Sequence, residues 1–352
     1  MRIKPQQMSI EDFDPNGTGQ DNGNYFGLPF TPEESQLVLL SVPWDVTVSY
    51  GEGARFGPDA IIGASGQLDL YEPLNPGGWR RGIGTLPINY RLQELSQFLR
   101  DDATKVIKHL EHGGQTEDEY VVRKAAKIDE ACAGMNKYVY EQSQHWLSQD
   151  KIVGLVGGDH STPLGLIKAL AEAEGAISVL HIDAHADLRP GYEGFRYSHA
   201  AIMYNVMSEA PGVESLVQVG IRDLCDCEAD FARENPKIAQ FTDYAMAGNR
   251  FRGMTWDEQC EQIIGKLGEK VYISFDIDGL APENAPHTGT PVPGGLGFNE
   301  AVWLIDRTAA AGKRIVGFDV CEVSPHHEEE WDGNVGARIL YKLCNIALRG
   351  RG

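Results

Sequence analysis

The chain has 352 residues, of which 42% are hydrophobic, so it is long and apolar enough to bury a large core. Its 51 acidic and 31 basic side chains give a net charge of −20, which argues against nucleic acid or a membrane as partner and favours a small cationic ligand. No run of about 18 apolar residues occurs, and the six cysteines form no CxxC pair, which predicts a cytoplasmic protein with free thiols.

The N-terminal part of the chain differs in composition from the rest. Residues 1–35 are rich in Asp, Asn, Gly and Pro, which predicts an irregular arm. Residues 36–352 contain no linker-like composition and are predicted to form a single domain. At its start, the apolar run 36–45 predicts a buried strand, and the Gly-rich segment 49–61 predicts a loop that leads into a helix.

The remainder of the chain alternates between helical and strand-like patterns. From residue 95 to about residue 150 the charged, amphipathic pattern predicts helix. Compact apolar runs then occur at 151–158, 176–185, 213–223, 270–278 and 313–323, and helical patterns at 163–174, 255–267, 299–311 and 333–348. This alternation predicts parallel strands joined by crossover helices, hence an α/β fold in the form of a three-layer α/β/α sandwich with a central, mainly parallel sheet.

Acidic and imidazole side chains follow four of these predicted strands. They lie in GGDHS (157–161), DAHAD (183–187), DID (276–278) and DVCEV (319–323). Because parallel strands present their carboxyl ends at one edge of a sheet, we expect these side chains to meet there. Within DAHAD and DID, alternate side chains face one side if the backbone stays extended. The candidate metal ligands are His160, Asp183, His185, Asp187, Asp276 and Asp278.

Four carboxylates and two imidazoles in one place predict a pair of divalent cations, since carboxylates without a cation would repel one another. The mixed shell suits Mn²⁺, with Ni²⁺, Co²⁺, Fe²⁺ and Zn²⁺ as alternatives. Two ions fit six ligands if Asp183 or Asp276 bridges them, and a water between them would become a hydroxide that attacks an electrophilic carbon. Alone, GGDH is more typical of a Gly turn with an Asp that caps a helix, so the combination carries the prediction.

In combination, GGDHS, DAHAD, SFDIDGLAP with TGTPVPGG (288–295), and EVSP resemble the signature segments of the ureohydrolase family. That family includes arginase, agmatinase, guanidinobutyrase, guanidinase and formimidoylglutamase. The resemblance covers roughly residues 36–348 and is strongest to agmatinases in the loop 42–61. It implies an arginase-like fold, a homotrimer or homohexamer, and hydrolysis of a guanidino C–N bond to an amine and urea. Agmatine is the leading substrate, and arginine, guanidinobutyrate, guanidine and N-formimidoylglutamate are alternatives.

The resemblance also implies roles for individual residues. One Mn²⁺ would be bound by His160, Asp183, Asp187 and Asp276, and the second by Asp183, His185, Asp276 and Asp278. His199 in YSHA matches the proton-shuttling histidine of the family, and Glu322 matches the carboxylate that pairs with the guanidinium. These roles agree with the chemistry, because a planar cation pairs with a carboxylate and a departing amine needs a proton.

Two departures from the agmatinase pattern, Arg189 and His287, are candidate substrate-binding residues. An Arg189 guanidinium that faces the pocket would repel the amine of agmatine unless Glu193 or another carboxylate intervenes, and it would favour a carboxylated substrate. If it faces outward, agmatine stays first choice. His287 replaces a small residue of relatives and would favour short substrates. The segment DLR (187–189) resembles formimidoylglutamases.

Other residues are given structural roles. His181 is expected to be a satisfied core histidine, His326 and His327 a solvated loop near the pocket mouth, and Cys225 and Cys227 a packed turn without redox function. Two other function classes are less favoured alternatives. A metal-dependent deacetylase would use one zinc and fewer carboxylates, and a regulatory relative without catalysis would lack a ligand, whereas all six are present here.

Overall fold

The computed structural model describes residues 10–350, in which eight parallel strands form one sheet. The strands are β1 (Leu37–Val42), β2 (Ile83–Thr85), β3 (Ile152–Gly157), β4 (Ile177–Ile182), β5 (Val213–Ile221), β6 (Ile238–Thr242), β7 (Lys270–Asp276) and β8 (Arg314–Cys321). Their order across the sheet is β2–β1–β3–β8–β7–β4–β5–β6. The predicted central parallel sheet is therefore confirmed.

Helices cover both faces of the sheet. They are α1 (Gly57–Ser65), α2 (Tyr90–Glu111), α3 (Glu119–Leu147), α4 (Leu164–Glu174), α5 (Ile202–Glu209), α6 (Asp226–Glu234), α7 (Asp243–Phe251), α8 (Trp256–Ile264), α9 (Phe298–Ala310) and α10 (Trp331–Arg349). Leu37 and Leu39 of β1 pack into a core that includes α1 and α8 to α10, whereas Val38 and Leu40 pack into a second core with α2 to α5. Burial on both faces explains why the strands are continuous apolar runs.

The predicted elements are present, with two differences. The helical region from residue 95 is two helices, α2 and α3, separated by a turn. The short strands β2 and β6 were not expected from the sequence, because they lie at the two edges of the sheet and carry little apolar pattern. Among residues 10–350, no helix has the length and apolar character that crossing a bilayer requires.

The N-terminal segment packs on the body of the domain where it is described. Residues 1–9 of the predicted arm lie outside the described residues, and residues 10–35 contain only two short 3₁₀ turns. The Tyr25 hydroxyl lies 2.8 Å from Ser41 Oγ of β1, and the ring of Phe26 lies 4.8 Å from that of Tyr341 in α10. The boundary between arm and domain at residue 36 stays a prediction.

The strand order places the four polar segments side by side. β3, β8, β7 and β4 are consecutive neighbours in the sheet, although they are far apart along the chain. The GGDHS segment after β3 needs its second glycine, because a Cβ on Gly158 would lie 1.9 Å from the carbonyl oxygen of Trp44. The loop after β1 thus passes directly over the end of β3.

Candidate metal centre and substrate cleft

His160, at the end of β3, is the centre of a first group of buried ligands. Its Nδ1 atom lies 3.0 Å from Asp183 Oδ2, 3.1 Å from Asp276 Oδ2 and 3.6 Å from Asp187 Oδ2. All four side chains are buried. One imidazole nitrogen and three carboxylates therefore converge, as expected for the first of the two ions.

His185 is the centre of a second group that shares a carboxylate with the first. Its Nδ1 atom lies 3.1 Å from Asp278 Oδ2 and 3.5 Å from Asp183 Oδ1. Asp276 Oδ1 accepts a hydrogen bond of 2.8 Å from the N–H of Asp278, which ties the two groups together. The structure thus brings all six predicted ligands into one cluster, with Asp183 between its two halves.

The charges in this cluster fit divalent cations. Burial and the charges of Asp278 and Asp183 raise the pKa of Asp276 well above its usual range, and burial and Asp183 do the same to the pKa of Asp187. Donor atoms of His160, Asp183 and Asp187 lie within 4.8 Å of one another, as do those of Asp183, His185 and Asp278. Nitrogen and oxygen donors at this spacing suit two borderline or hard dications.

The condition that DAHAD and DID stay extended, under which alternate side chains would face one side, is not met. β4 ends at Ile182, and Asp183 Oδ1 accepts a hydrogen bond of 2.6 Å from the N–H of His185, which bends the chain. Asp187 has a φ of +53°, and Asp278 lies in a 3₁₀ turn. The side chains therefore meet because the backbone turns, and not because they alternate along a strand.

A hydrogen-bond chain behind His160 sets the orientation of its ring. His160 Nε2 lies 2.8 Å from Ser274 Oγ, and Ser274 donates to Asp319 Oδ2 at 2.8 Å. Asp319 Oδ2 also accepts from the Tyr272 hydroxyl at 2.7 Å. Because the serine proton points to Asp319, His160 Nε2 is the donor and Nδ1 is left available to bind a metal. Sequence reasoning missed Ser274 and Asp319, although both lie in the motif segments.

His181 is a core histidine, as expected, and it supports Asp183. Its Nε2 atom lies 2.8 Å from Asp183 Oδ2, and its Nδ1 atom is 2.9 Å from Gln218 Nε2. The Gln218 amide donates to Nδ1, so Nε2 carries the proton and donates it to the carboxylate. Burial lowers the pKa of His181, which agrees with a neutral ring. The only sequence signal for Gln218 is its position as a polar residue inside an apolar strand.

A cleft of about 450 Å³ leads from the surface to this cluster. It is lined by Ser49, Tyr50, His185, Asp187, Arg189, Tyr192, His199, Ala200, Asp223, Leu224, Glu228, Gly289, Thr290, Pro291 and Val292. His185 and Asp187 belong to the proposed ligand set, so a molecule in the cleft reaches the ligand cluster.

His199 lies in the wall of the cleft and is held by the loop that follows β1. Its N–H donates to Thr47 Oγ1 at 3.2 Å, and its ring Nδ1 lies 3.4 Å from Ser198 Oγ. Burial and the charge of His185 lower the pKa of His199 to about 3. The structure therefore places this predicted proton-transfer residue at the substrate cleft.

Glu322 lies beside the cluster, just behind the cleft wall. Its Oε1 atom accepts a hydrogen bond of 2.8 Å from the N–H of His160. Its Oε2 atom is 3.8 Å from the point that a Cβ on Gly289 would occupy, and Gly289 lines the cleft. Burial and the charge of Asp276 raise the pKa of Glu322, so a cation next to it would be stabilised.

Arg189 faces the cleft, but its charge is opposed by a carboxylate. Its Nε atom lies 3.4 Å from Glu228 Oε2, and its guanidinium lies 4.4 Å from the centre of the Tyr192 ring. Glu228 is buried and also accepts a hydrogen bond of 3.0 Å from the N–H of Leu188. Sequence reasoning missed Glu228, since nothing in the pattern of α6 distinguishes it from surface acids.

His287 is placed away from the lining of the cleft. Its Nδ1 atom lies 2.7 Å from Asp332 Oδ2 at the start of α10, and its ring stacks on that of His326 with centroids 4.2 Å apart. His327 is largely exposed, as expected for a solvated loop. This position gives no support to a limit on substrate length, and a role of His287 in binding stays a prediction.

Comparisons with known proteins agree with this geometry. A family model described as "Arginase family" matches residues 35–345. The N(1)-aminopropylagmatine ureohydrolase of Thermus thermophilus is 35% identical over 92% of this chain and 94% of its own length. The proclavaminate amidinohydrolase of Streptomyces clavuligerus is 30% identical over 91% and 92% of the two chains. The structure of an agmatine ureohydrolase of Thermoplasma volcanium superposes with a TM-score of 0.66 at 25% identity, covering 90% of this chain and 92% of that chain.

Proposed function

This chain belongs to the arginase family, and from that premise we propose that it hydrolyses a guanidino compound whose tail carries an amine. The chain is thus a hydrolase of guanidino C–N bonds, and agmatine is its first candidate substrate. The products would be urea and a diamine.

The charge of the cleft is the observation that carries this choice. Glu228 and Asp223 line the cleft, and Glu193 lies behind it with its Oε2 atom 3.2 Å from Ser49 Oγ. Arg189 is the one Arg or Lys side chain in the lining of the cleft, and Glu228 already opposes it. Arg100, which also lies near Glu193, pairs with Glu52. A cationic tail is therefore attracted, whereas the carboxylate of arginine or 4-guanidinobutyrate would be repelled.

Different residues of the site provide for the nucleophile, for binding of the guanidinium and for proton transfer. The six side chains of the cluster would hold two divalent cations, which would supply an activated water and polarise the substrate. Glu322 opposes the guanidinium and holds the reacting carbon near the ligand cluster. The departing amine needs a proton, and His199 relays it: the ring is neutral because its pKa is lowered to about 3, so it takes up the proton that the attacking water loses and passes it on through Nε2, since Nδ1 faces Ser198.

A second candidate substrate is N(1)-aminopropylagmatine. It is favoured by the open outer end of the cleft, where Tyr50 is 83% exposed and the side chain of Asp223 is exposed. A longer polyamine tail would reach this end and place a further ammonium near Asp223. The name of the relative from Thermus thermophilus supports the same candidate.

We also propose Mn²⁺ as the native metal, a homotrimer or homohexamer, and a cytoplasmic location. The mixed imidazole and carboxylate donors support Mn²⁺, with Ni²⁺, Co²⁺, Fe²⁺ and Zn²⁺ as the alternatives. Tyr244 and Phe251, seven residues apart in α7, are 90% and 88% exposed, which supports an interface between copies. The free thiols support a reducing compartment.

The test is urea release by the Mn²⁺-loaded protein from agmatine, N(1)-aminopropylagmatine, arginine, 4-guanidinobutyrate and guanidine. We expect the highest kcat/KM on one of the two amine-tailed compounds. A parallel panel with chelator should release no urea. Preference for a carboxylated compound would contradict the proposed cleft electrostatics, and the absence of urea from every compound would contradict the proposed reaction.

A further inference from the structure

We propose that Cys225 and Cys227 form a reversible disulfide, and that this disulfide changes the substrate cleft. The two Sγ atoms lie 3.1 Å apart at the start of α6. Cys227 is exposed and Cys225 is half-buried, whereas the other four cysteines, Cys132, Cys260, Cys321 and Cys344, are buried. The expectation of a packed turn without redox function is therefore revised: this pair is both accessible and close.

The geometry permits the bond with a small movement. An S–S bond is about 2.05 Å long, so the two sulfur atoms need to approach each other by about 1 Å. They already point toward one another across the first turn of a short helix that begins at Asp226. A short loop at the protein surface can make this adjustment without disturbing either hydrophobic core.

Glutathione disulfide is the oxidant that completes the chemistry. Burial and the hydrogen bond with Cys227 raise the pKa of Cys225, so the exposed Cys227 thiolate reacts first. It attacks one sulfur of glutathione disulfide and expels glutathione thiolate. Cys225 then loses its proton to solvent, attacks Cys227 Sγ and expels the second glutathione thiolate. The pair is oxidised by two electrons, and glutathione disulfide is reduced to two glutathione molecules.

The same turn holds a carboxylate of the cleft. The N–H of Cys225 donates to Glu228 Oε2 at 2.9 Å, and this oxygen also faces Arg189 Nε at 3.4 Å. Closing the disulfide rotates the Cys225 backbone and pulls its N–H away from Glu228. Glu228 then loses one of the two N–H groups that hold its carboxylate beside Arg189, and a less firmly held Glu228 opposes Arg189 less well, so a cationic tail binds less well. This second step rests on the proposed function.

The first test measures the oxidation state of Cys225 and Cys227 and does not depend on urea release. The full-length protein is equilibrated in buffers of increasing glutathione disulfide to glutathione ratio, blocked with an alkylating agent and digested with trypsin. Cleavage after Arg222 and Arg233 isolates residues 223–233, which contain both cysteines. We expect the doubly alkylated form of this peptide to be replaced by an unalkylated form two hydrogens lighter than the free dithiol, and dithiothreitol to reverse the change. A peptide that stays reduced, carries only glutathione, or links two chains would overturn the proposal.

Two single variants identify the order of events and serve as controls. Cys225→Ser should accumulate a glutathione adduct on Cys227, and Cys227→Ser should form no internal disulfide. In the wild type, oxidation should raise KM for agmatine several-fold, whereas Cys227→Ser should show the same KM in every buffer. An unchanged KM in the oxidised wild type would refute the link to the cleft. Absence of urea release in both redox states would instead refute the proposed function, since the peptide masses do not depend on it.

Discussion

Replacing Glu228 by glutamine should weaken binding of amine-tailed substrates without harming the reacting centre. The substitution removes the negative charge 3.4 Å from Arg189 and leaves that guanidinium unopposed in the cleft wall. For an ammonium about 6 Å away and an effective dielectric constant of about 40, the lost attraction is about 1.4 kcal/mol. We therefore expect KM for agmatine to rise about tenfold, because 1.4 kcal/mol is a factor of about ten in affinity.

Guanidine is the matched control, because it has no tail and should be hydrolysed equally by the wild type and Glu228→Gln. Arg189→Ala should lower KM for agmatine by a smaller factor, since Glu228 already opposes that charge. The double variant Glu228→Gln/Arg189→Ala should recover most of the affinity for agmatine that Glu228→Gln loses, because the unopposed Arg189 cation is then absent. The melting temperature of each variant should be measured together with its kinetics, to separate lost stability from lost binding. Glu228 accepts one N–H through each of its two oxygens, and the single amide oxygen of a glutamine cannot accept both. An equal effect on guanidine and agmatine would refute the reasoning.

Three further outcomes follow from the cluster and its neighbours. Asp183→Ala and Asp276→Ala should each lower the content of both metals as determined by elemental analysis, and full occupancy in either variant would show that the carboxylate is no bridge. Glu322→Gln should raise KM for agmatine at unchanged metal content; a loss of metal would make Glu322 a ligand instead. His199→Ala should lower kcat by about 10²–10⁴-fold with metal content intact, and an unchanged kcat would remove His199 from proton transfer.

The chemistry of the site was predictable from sequence because each ligand stands at the end of an apolar run. GGDHS, DAHAD and DID contain the His and Asp ligands themselves, and the carboxyl ends of parallel strands lie together at one edge of the sheet. The order of the strands was not predictable. That β8 inserts between β3 and β7 is decided by packing of both cores, and no local pattern encodes it.

The supporting residues escaped prediction for a similar reason. Ser274 and Asp319 act on His160 across neighbouring strands, so their role depends on register and not on spacing in the chain. Glu228 is one of 51 acidic residues, and only its burial beside Arg189 distinguishes it. The extended geometry considered for DAHAD is absent because the Asp183 side chain accepts a hydrogen bond from the backbone N–H of His185.

The most direct test of the account is the number of metal ions per chain. The protein is stripped with a chelator, reloaded with Mn²⁺, freed of excess metal and analysed for metal and protein in the same sample, with urea release from agmatine followed in parallel. We predict two Mn²⁺ per chain and activity that rises with the occupancy of both sites. A plateau at one ion or none, or full activity in the metal-stripped protein, would contradict the binuclear centre.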